Sequence, residues 1–171
     1  NKGVKIAIEN CPMLFTEDEW PGGKNLAISP AIWRELFKRL PSDMLGLNFD
    51  PSHFIWQEMD YIKPLYEFKD KIFHVHYKDI KVNKDARNEV GILATPLSYM
   101  LPCIPGHGDV DWAEYIRALL EIGYKGAACI EIEDKSFEND KESIENSLKI
   151  SRQYLKQFIN FPEKGKKYEK D

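Results

Sequence analysis

Four side chains in this sequence are suited to holding a metal and moving protons: Glu9, Asp50, His76 and Glu131. Each falls near the C-terminal end of a short apolar run, the runs being residues 4–9, 45–50, 72–78 and 127–133. Three carboxylates and an imidazole brought into one dry space repel each other and lose hydration, so they need a cation to hold them. Oxygen-rich ligands with a single His suit one divalent ion, Mn, Co, Mg or Zn in a non-structural setting. The separations are long, so no local motif carries the set; the signal is its repetition, run after run.

Each residue alone also has a plainer role. Glu9 fits a salt-bridged strand end, Asp50 before Pro51 fits a turn, and Glu131 fits a partner for a lysine. His74 reads as a packed histidine, and Glu133 and Asp134 as solvated rim charges. Taken jointly, ionisable groups at four strand ends need a common reason. The histidines sharpen the pattern: His53, His74, His76 and His107 all fall in strand ends or the loops after them.

The elements that must position these groups follow from periodicity. The four apolar runs have the length and composition of strands. Helical stripes lie between and after them. Ser29-Pro30 opens the first, with Ile32, Trp33, Leu36, Phe37 and Leu40 on one face. Ile62, Leu65, Tyr66 and Phe68 form a weaker second, with Pro64 in its first turn. Asp111 and Glu114 mark a capping box for the third, which carries Trp112, Tyr115, Ile116, Leu119 and Leu120 inward and ends at Gly123. The fourth spans 141–159, with Ile144, Leu148, Leu155 and Phe158 inward.

Strand and helix alternating four times predict an α/β fold with a parallel sheet. Parity within the strands goes further. One face carries Ile6, Ile8, Leu45, Leu47, Phe49, Phe73, Val75 and Tyr77, with Ala128, Ile130 and Ile132. The other carries small residues first and then Glu9, Asn48, Asp50, His74, His76, Lys78, Glu131 and Glu133. A doubly wound sheet buries both faces in apolar residues; a (β/α)8 TIM barrel turns one face inward and gathers functional groups at its C-terminal mouth. Four β/α units are half of such a barrel.

Two loops remain. Residues 104–109 run through Gly106-His107-Gly108 into the third helix and fit either a phosphate-holding helix start or a tight turn. Trp20-Pro21-Gly22-Gly23 reads as a lid or a surface turn. Composition bounds the rest. With 171 residues, 43% hydrophobic, 30% charged and a net charge of −4, the chain reads as soluble, with no general affinity for nucleic acid or membrane. Three cysteines without zinc spacing read as reduced thiols in a cytoplasmic protein. Residues 161–171 read as a charged, disordered tail after a single unit spanning 1–160.

Several stretches together carry a family resemblance: Ile8-Glu9-Asn10-Cys11-Pro12, Asn48-Phe49-Asp50-Pro51-Ser52-His53, His74-Val75-His76-Tyr77-Lys78-Asp79, Pro105-Gly106-His107-Gly108 with Val110-Asp111-Trp112, and Ile130-Glu131-Ile132-Glu133-Asp134. In this order the chain resembles the sugar phosphate isomerase/epimerase family of the xylose-isomerase-like TIM barrel superfamily, from the fifth barrel strand to the eighth helix. The resemblance implies that Glu9, Asp50, His76 and Glu131 are the metal ligands. It implies that His53 contacts a substrate oxygen and that Glu9 and Glu131 double as an acid–base pair. Lys78 and His107 are further candidate substrate contacts, Lys78 having a rim salt bridge with Asp79 as its alternative.

The chemistry so implied is isomerisation or epimerisation of a sugar through a metal-stabilised enediolate. A lyase or dehydratase acting on a keto-polyol or 3-keto sugar needs the same site. A non-catalytic half-barrel binding subunit is a third reading. Related endonucleases carry an Asp-x-His before the glycine loop, where this chain has Tyr99-Met100-Leu101-Pro102-Cys103, so DNA repair is not expected. The family's first four β/α units have no counterpart here, and Asn1 is not an initiator Met. The expectation is therefore a segment of a longer barrel, or a half barrel completed by a homo-oligomer or by the missing N-terminal half.

Overall fold

The computed structural model describes residues 3–12 and 23–159. Trp20, Pro21 and Gly22 of the expected lid, and the charged tail, lie outside the described residues. In chain order the elements are β1 (Ile6–Glu9), α1 (Pro30–Arg39), β2 (Leu45–Phe49), α2 (Ser52–Ile55), α3 (Lys63–Glu67), β3 (Ile72–Tyr77), β4 (Asp79–Val82), α4 (Lys84–Val90), β5 (Met100–Cys103), α5 (Trp112–Glu121), β6 (Ala127–Ile130) and α6 (Lys141–Leu155). β1, β2, β3 and β6 form one parallel sheet in that order, and β4 pairs antiparallel with β5. Parallel neighbours joined through helices are the expected β/α units, with the β4–β5 hairpin inserted between the third and fourth strands of the sheet.

The core lies between the sheet and its helices. Trp33, Leu47, Phe49, Phe54, Leu65, Val75, Tyr115 and Leu155 are fully buried. Trp33 meets Phe49, Phe54 and Phe68 at centroid distances of 5.9, 5.7 and 5.2 Å, and its indole N–H donates to the Ala27 carbonyl at 2.7 Å. α5 follows its sequence signals. Asp111 accepts from the Glu114 N–H, and Gly123 adopts a φ of 70° just past the helix, a conformation that suits glycine.

Several expectations need correction. The register between β2 and β3 shifts between Leu47 and Asn48, which face Ile72 and His74. Phe73 is the extra residue of a bulge, so it leaves the helix-facing side assigned to it by strict alternation. Its ring occupies the space over Gly46, where any Cβ would collide with it, and Lys5 Nζ lies 4.5 Å from the ring centroid. The bulge lets Ile72 and Val75 both enter the core while His74 and His76 stay on the opposite face.

α6 is turned differently from its expected stripe. Ser147 and Ser151 are fully buried, whereas Ile144 and Leu148 are 39% and 40% exposed. The two hydroxyls donate to the carbonyls of Ile144 and Ser147 one turn back, which satisfies them while their small size allows close packing. Leu40, Leu120, Tyr66 and Ile6 are likewise exposed rather than buried; Ile6 lies on β1, an edge of the sheet. Ser29 occupies the N-cap of α1 without a side-chain cap bond. β4, α4 and β5 were not expected. No helix among the described residues is long and apolar enough to cross a membrane.

Candidate metal centre

Adjacent strands deliver one candidate ligand each. Glu9 ends β1, Asp50 follows β2, His76 is the penultimate residue of β3, and Glu131 follows β6. One ligand atom from each lies within 4.8 Å of all the others. His76 Nδ1 stands 2.6 Å from Glu131 Oε2, 3.2 Å from Glu9 Oε1 and 4.0 Å from Asp50 Oδ2.

Backbone contacts lock this rim. The Asn10 amide donates to the Asp50 carbonyl and accepts from the Asp50 N–H, both at 2.8 Å. This reciprocal pair ties the end of β1 to the end of β2. Asn25 donates to the Glu9 and Cys11 carbonyls at 2.7 Å each. The Ser52 N–H donates to Asp50 Oδ1 at 2.8 Å, which leaves Oδ2 facing the centre, buried and without a hydrogen-bond partner. Glu131 Oε2 is also buried without a bond of acceptable geometry, despite its approach to His76. Asn10 and Asn25 were not singled out from sequence, because an asparagine spanning two strand ends leaves no periodic trace.

The electrostatics show what the rim demands. Burial lowers the His76 pKa, but the Glu131 and Glu9 carboxylates beside Nδ1 overcome it and raise the imidazole to about 10. Burial likewise opposes protonation of His53, while Asp50, Cys11 and Glu9 raise it to about 9. Burial pushes Glu9 up, yet His53 and His76 hold it far below the usual carboxylate range. Glu131 is lowered too, burial being outweighed by His76 and Lys78. Buried carboxylates are thus drawing in protons and an ammonium as counter-charge. Two buried carboxylate oxygens without partners, beside an imidazole nitrogen, form a donor set that fits a divalent cation. Glu9, Asp50, His76 and Glu131 would hold it, in place of the proton on Nδ1.

Asn48 supports this fit. Its Nδ2 lies 3.0 Å from His76 Nε2, and its Oδ1 is buried without a partner. Turning the amide over places Oδ1 against Nε2–H, satisfies the oxygen and leaves the Nδ1 lone pair for a metal. Asn48→Leu is therefore expected to weaken metal affinity about 10–100-fold, read by competition with a chelating dye; unchanged affinity would remove Asn48 from the support of His76.

The remaining candidates divide. His53, on α2, places Nε2 3.5 Å from Asp50 Oδ2 and 3.6 Å from Glu9 Oε1, at the wall of a cavity that opens beside the centre. Lys78 reaches the same cavity, but it does not pair with Asp79. Its Nζ lies 2.9 Å from Glu133, 3.4 Å from Glu131 and 3.5 Å from Asp50. Glu133, read as a solvated rim charge, is therefore a partner at the centre. The fully buried Asp79 instead accepts from the N–H groups of Gly106 and Val110 at 2.9 and 3.0 Å, and from the Trp112 indole at 2.8 Å. The glycine loop is thus a turn built around an internal carboxylate, with Gly108 so close to Asp79 that a Cβ would collide. His107 is exposed, its ring 6.3 Å from that of Phe137, and it does not line the cavity. An apolar part of the cavity lining is formed by Trp56, Ile80, Leu97, Met100 and Pro102. Much of this part comes from the unforeseen hairpin.

A family model described as xylose isomerase-like TIM barrel matches residues 1–156. The chain belongs to that family. Among curated relatives of this xylose isomerase-like chain, inosose dehydratase of Lactiplantibacillus plantarum is 29% identical over 119 residues, covering 68% of this chain and 38% of that enzyme. Among solved structures, an IolI protein with a bound zinc atom aligns at a TM-score of 0.64 and 20% identity, over 93% of this chain and 51% of the other. D-allulose 3-epimerase from Methylomonas sp. aligns at 0.59 and 19% identity, over 92% and 49%. The chain thus spans two fifths to a half of the length of these relatives.

Proposed function

We propose that the chain supplies the metal-holding, proton-transferring side of an isomerase or epimerase acting on a sugar or sugar derivative. The observation that carries this reading is the order of the rim. Glu9 and Glu131 stand at the two ends of the four-strand row, with Asp50 and His76 between them. Two carboxylates on either side of a centre can take a proton from one face of a carbon and return one to the other, which inverts that carbon. The chemistry that a bound divalent ion supplies is Lewis-acid polarisation of a carbonyl and its neighbouring hydroxyl, which acidifies the C–H between them.

The protein's own groups do the rest. Glu131 removes the proton, Glu9 passes on one drawn from solvent while Glu131 returns its own to solvent, and His53 donates a hydrogen bond to the oxygen that gains charge. Asn10 and Asn25 hold the Glu9 end of the row by its backbone. Lys78 keeps the carboxylates from repelling one another. Dehydration is a second reading, favoured by the inosose dehydratase relative. It begins with the same proton removal and differs in expelling the neighbouring hydroxyl as water.

Incubation of the full-length, metal-loaded protein in D₂O with ketoses and keto-cyclitols separates these outcomes by NMR. Epimerisation leaves one deuterium at the inverted carbon, and dehydration yields a product lighter by one water. Substrates that gain no deuterium and lose no water across the panel would overturn both readings.

A further inference from the structure

Among the described residues that line the cavity, the two cationic groups, His53 and Lys78, are both already set against carboxylates: His53 Nε2 lies 3.5 Å from Asp50 and 3.6 Å from Glu9. Lys78 is the only Lys or Arg among its described lining residues, and three carboxylates already surround its ammonium at 2.9–3.5 Å. A phosphate or carboxylate entering here would have to displace Glu133 and would then face Glu9 and Glu131.

Among the described residues, the glycine loop offers no anion cradle either. In the glycine loop the N–H groups of Gly106 and Val110 are bonded to Asp79. Those of His107 and Asp109 are bonded to the carbonyls of Ile104 and Ile80 at 3.1 and 2.8 Å. The N-terminus of α5 is capped by Asp111.

What the cavity does offer is neutral. Trp56 Nε1 and Ser52 Oγ are buried and without hydrogen-bond partners, and both residues line the cavity. An indole N–H and an alcohol at an enclosed site call for an oxygen of comparable polarity, such as a hydroxyl. Ile80, Met100 and Pro102 line the same cavity with a surface suited to the C–H groups of a sugar or cyclitol.

We propose that this cavity selects an uncharged, hydroxyl-bearing part of the substrate, and that Glu133 sets the selection by occupying Lys78. The inference rests on reading the centre as a sugar-converting site. It makes Glu133 a specificity residue that acts through Lys78.

The test uses the full-length, metal-loaded protein with matched pairs: D-fructose and its 6-phosphate, D-glucose and D-glucuronate. Deuterium uptake beside the carbonyl is followed by NMR, and binding by tryptophan fluorescence. The neutral member of each pair is expected to be favoured by at least about tenfold. Glu133→Gln is expected to shift the anionic-to-neutral preference about tenfold toward the anionic members by releasing Lys78. Trp56→Phe, which keeps a six-membered aromatic ring and removes the N–H with the five-membered ring, is expected to weaken neutral members about 2–10-fold. A wild type that prefers the anionic members, or a Glu133→Gln variant with unchanged preference, overturns the proposal and leaves the proton-transfer reading standing. The expected selectivity in binding without any deuterium uptake overturns the proton-transfer reading and supports the selectivity. Binding of neither member of any pair overturns both.

Discussion

Glu131→Gln is expected to lower turnover about 10²–10⁴-fold, the usual worth of a positioned acid or base. The substitution keeps the side chain's size and removes its ability to take a proton together with its charge. Glu131 sits one residue past β6, its N–H donating to the Tyr77 carbonyl at 3.3 Å, so its place depends on the backbone rather than on its charge. The fold should therefore persist, which circular dichroism and thermal unfolding would verify. Because Glu131 also faces His76 and Lys78, the assay belongs at saturating metal, with deuterium exchange followed beside product formation. Loss of both places the proton transfer on Glu131. Exchange at the wild-type rate would take the base role away from it and leave Glu9 as the remaining glutamate of the row.

Asp50→Asn is expected to weaken metal binding by more than about 100-fold, beyond the range for losing a supporting partner. Asp50 is fully buried, and its Oδ2 has no hydrogen-bond partner. Such a buried charge is costly unless a cation answers it. Lys78 Nζ, at 3.5 Å, answers it only in part. Asparagine preserves the bond that Oδ1 accepts from Ser52 N–H and removes the charge and the Oδ2 ligand atom. Elemental analysis of wild type and variant after dialysis against Mn²⁺ reads the outcome. About one ion per wild-type chain, lost in the variant, is the expected result. Equal metal in both proteins would mean that Asp50 is held by Lys78 and is no ligand.

The two experiments also separate the roles of the rim. A variant that keeps its metal and loses exchange has lost a base, whereas one that loses its metal has lost the centre. Asn48→Leu belongs with the second group at smaller amplitude, since it acts on His76 through Nε2.

Glu9, Asp50, His76 and Glu131 were legible in the sequence because β-strand geometry is local. Alternation assigns side chains to faces, and polar groups at the ends of four apolar runs stand out against it. The capping of α5 by Asp111 and its end at Gly123 were legible for the same reason, since each depends on neighbours within one turn. Local pattern failed wherever the outcome depended on a distant partner. The bulge at Phe73 arises where β3 must match β2 above Gly46, and strict alternation cannot anticipate an inserted residue. α6 turned its serines inward because close packing can outweigh a leucine stripe. The hairpin from β4 to β5, with most of the apolar cavity wall, depends on pairing across the seventeen residues 83–99 between its strands, at an entropic cost that sequence periodicity does not record. Tertiary structure also decided the partners of the charges. Lys78 and Asp79 are adjacent in sequence, but successive extended residues point to opposite sides. One therefore joined the carboxylates of the centre, and the other built the glycine loop.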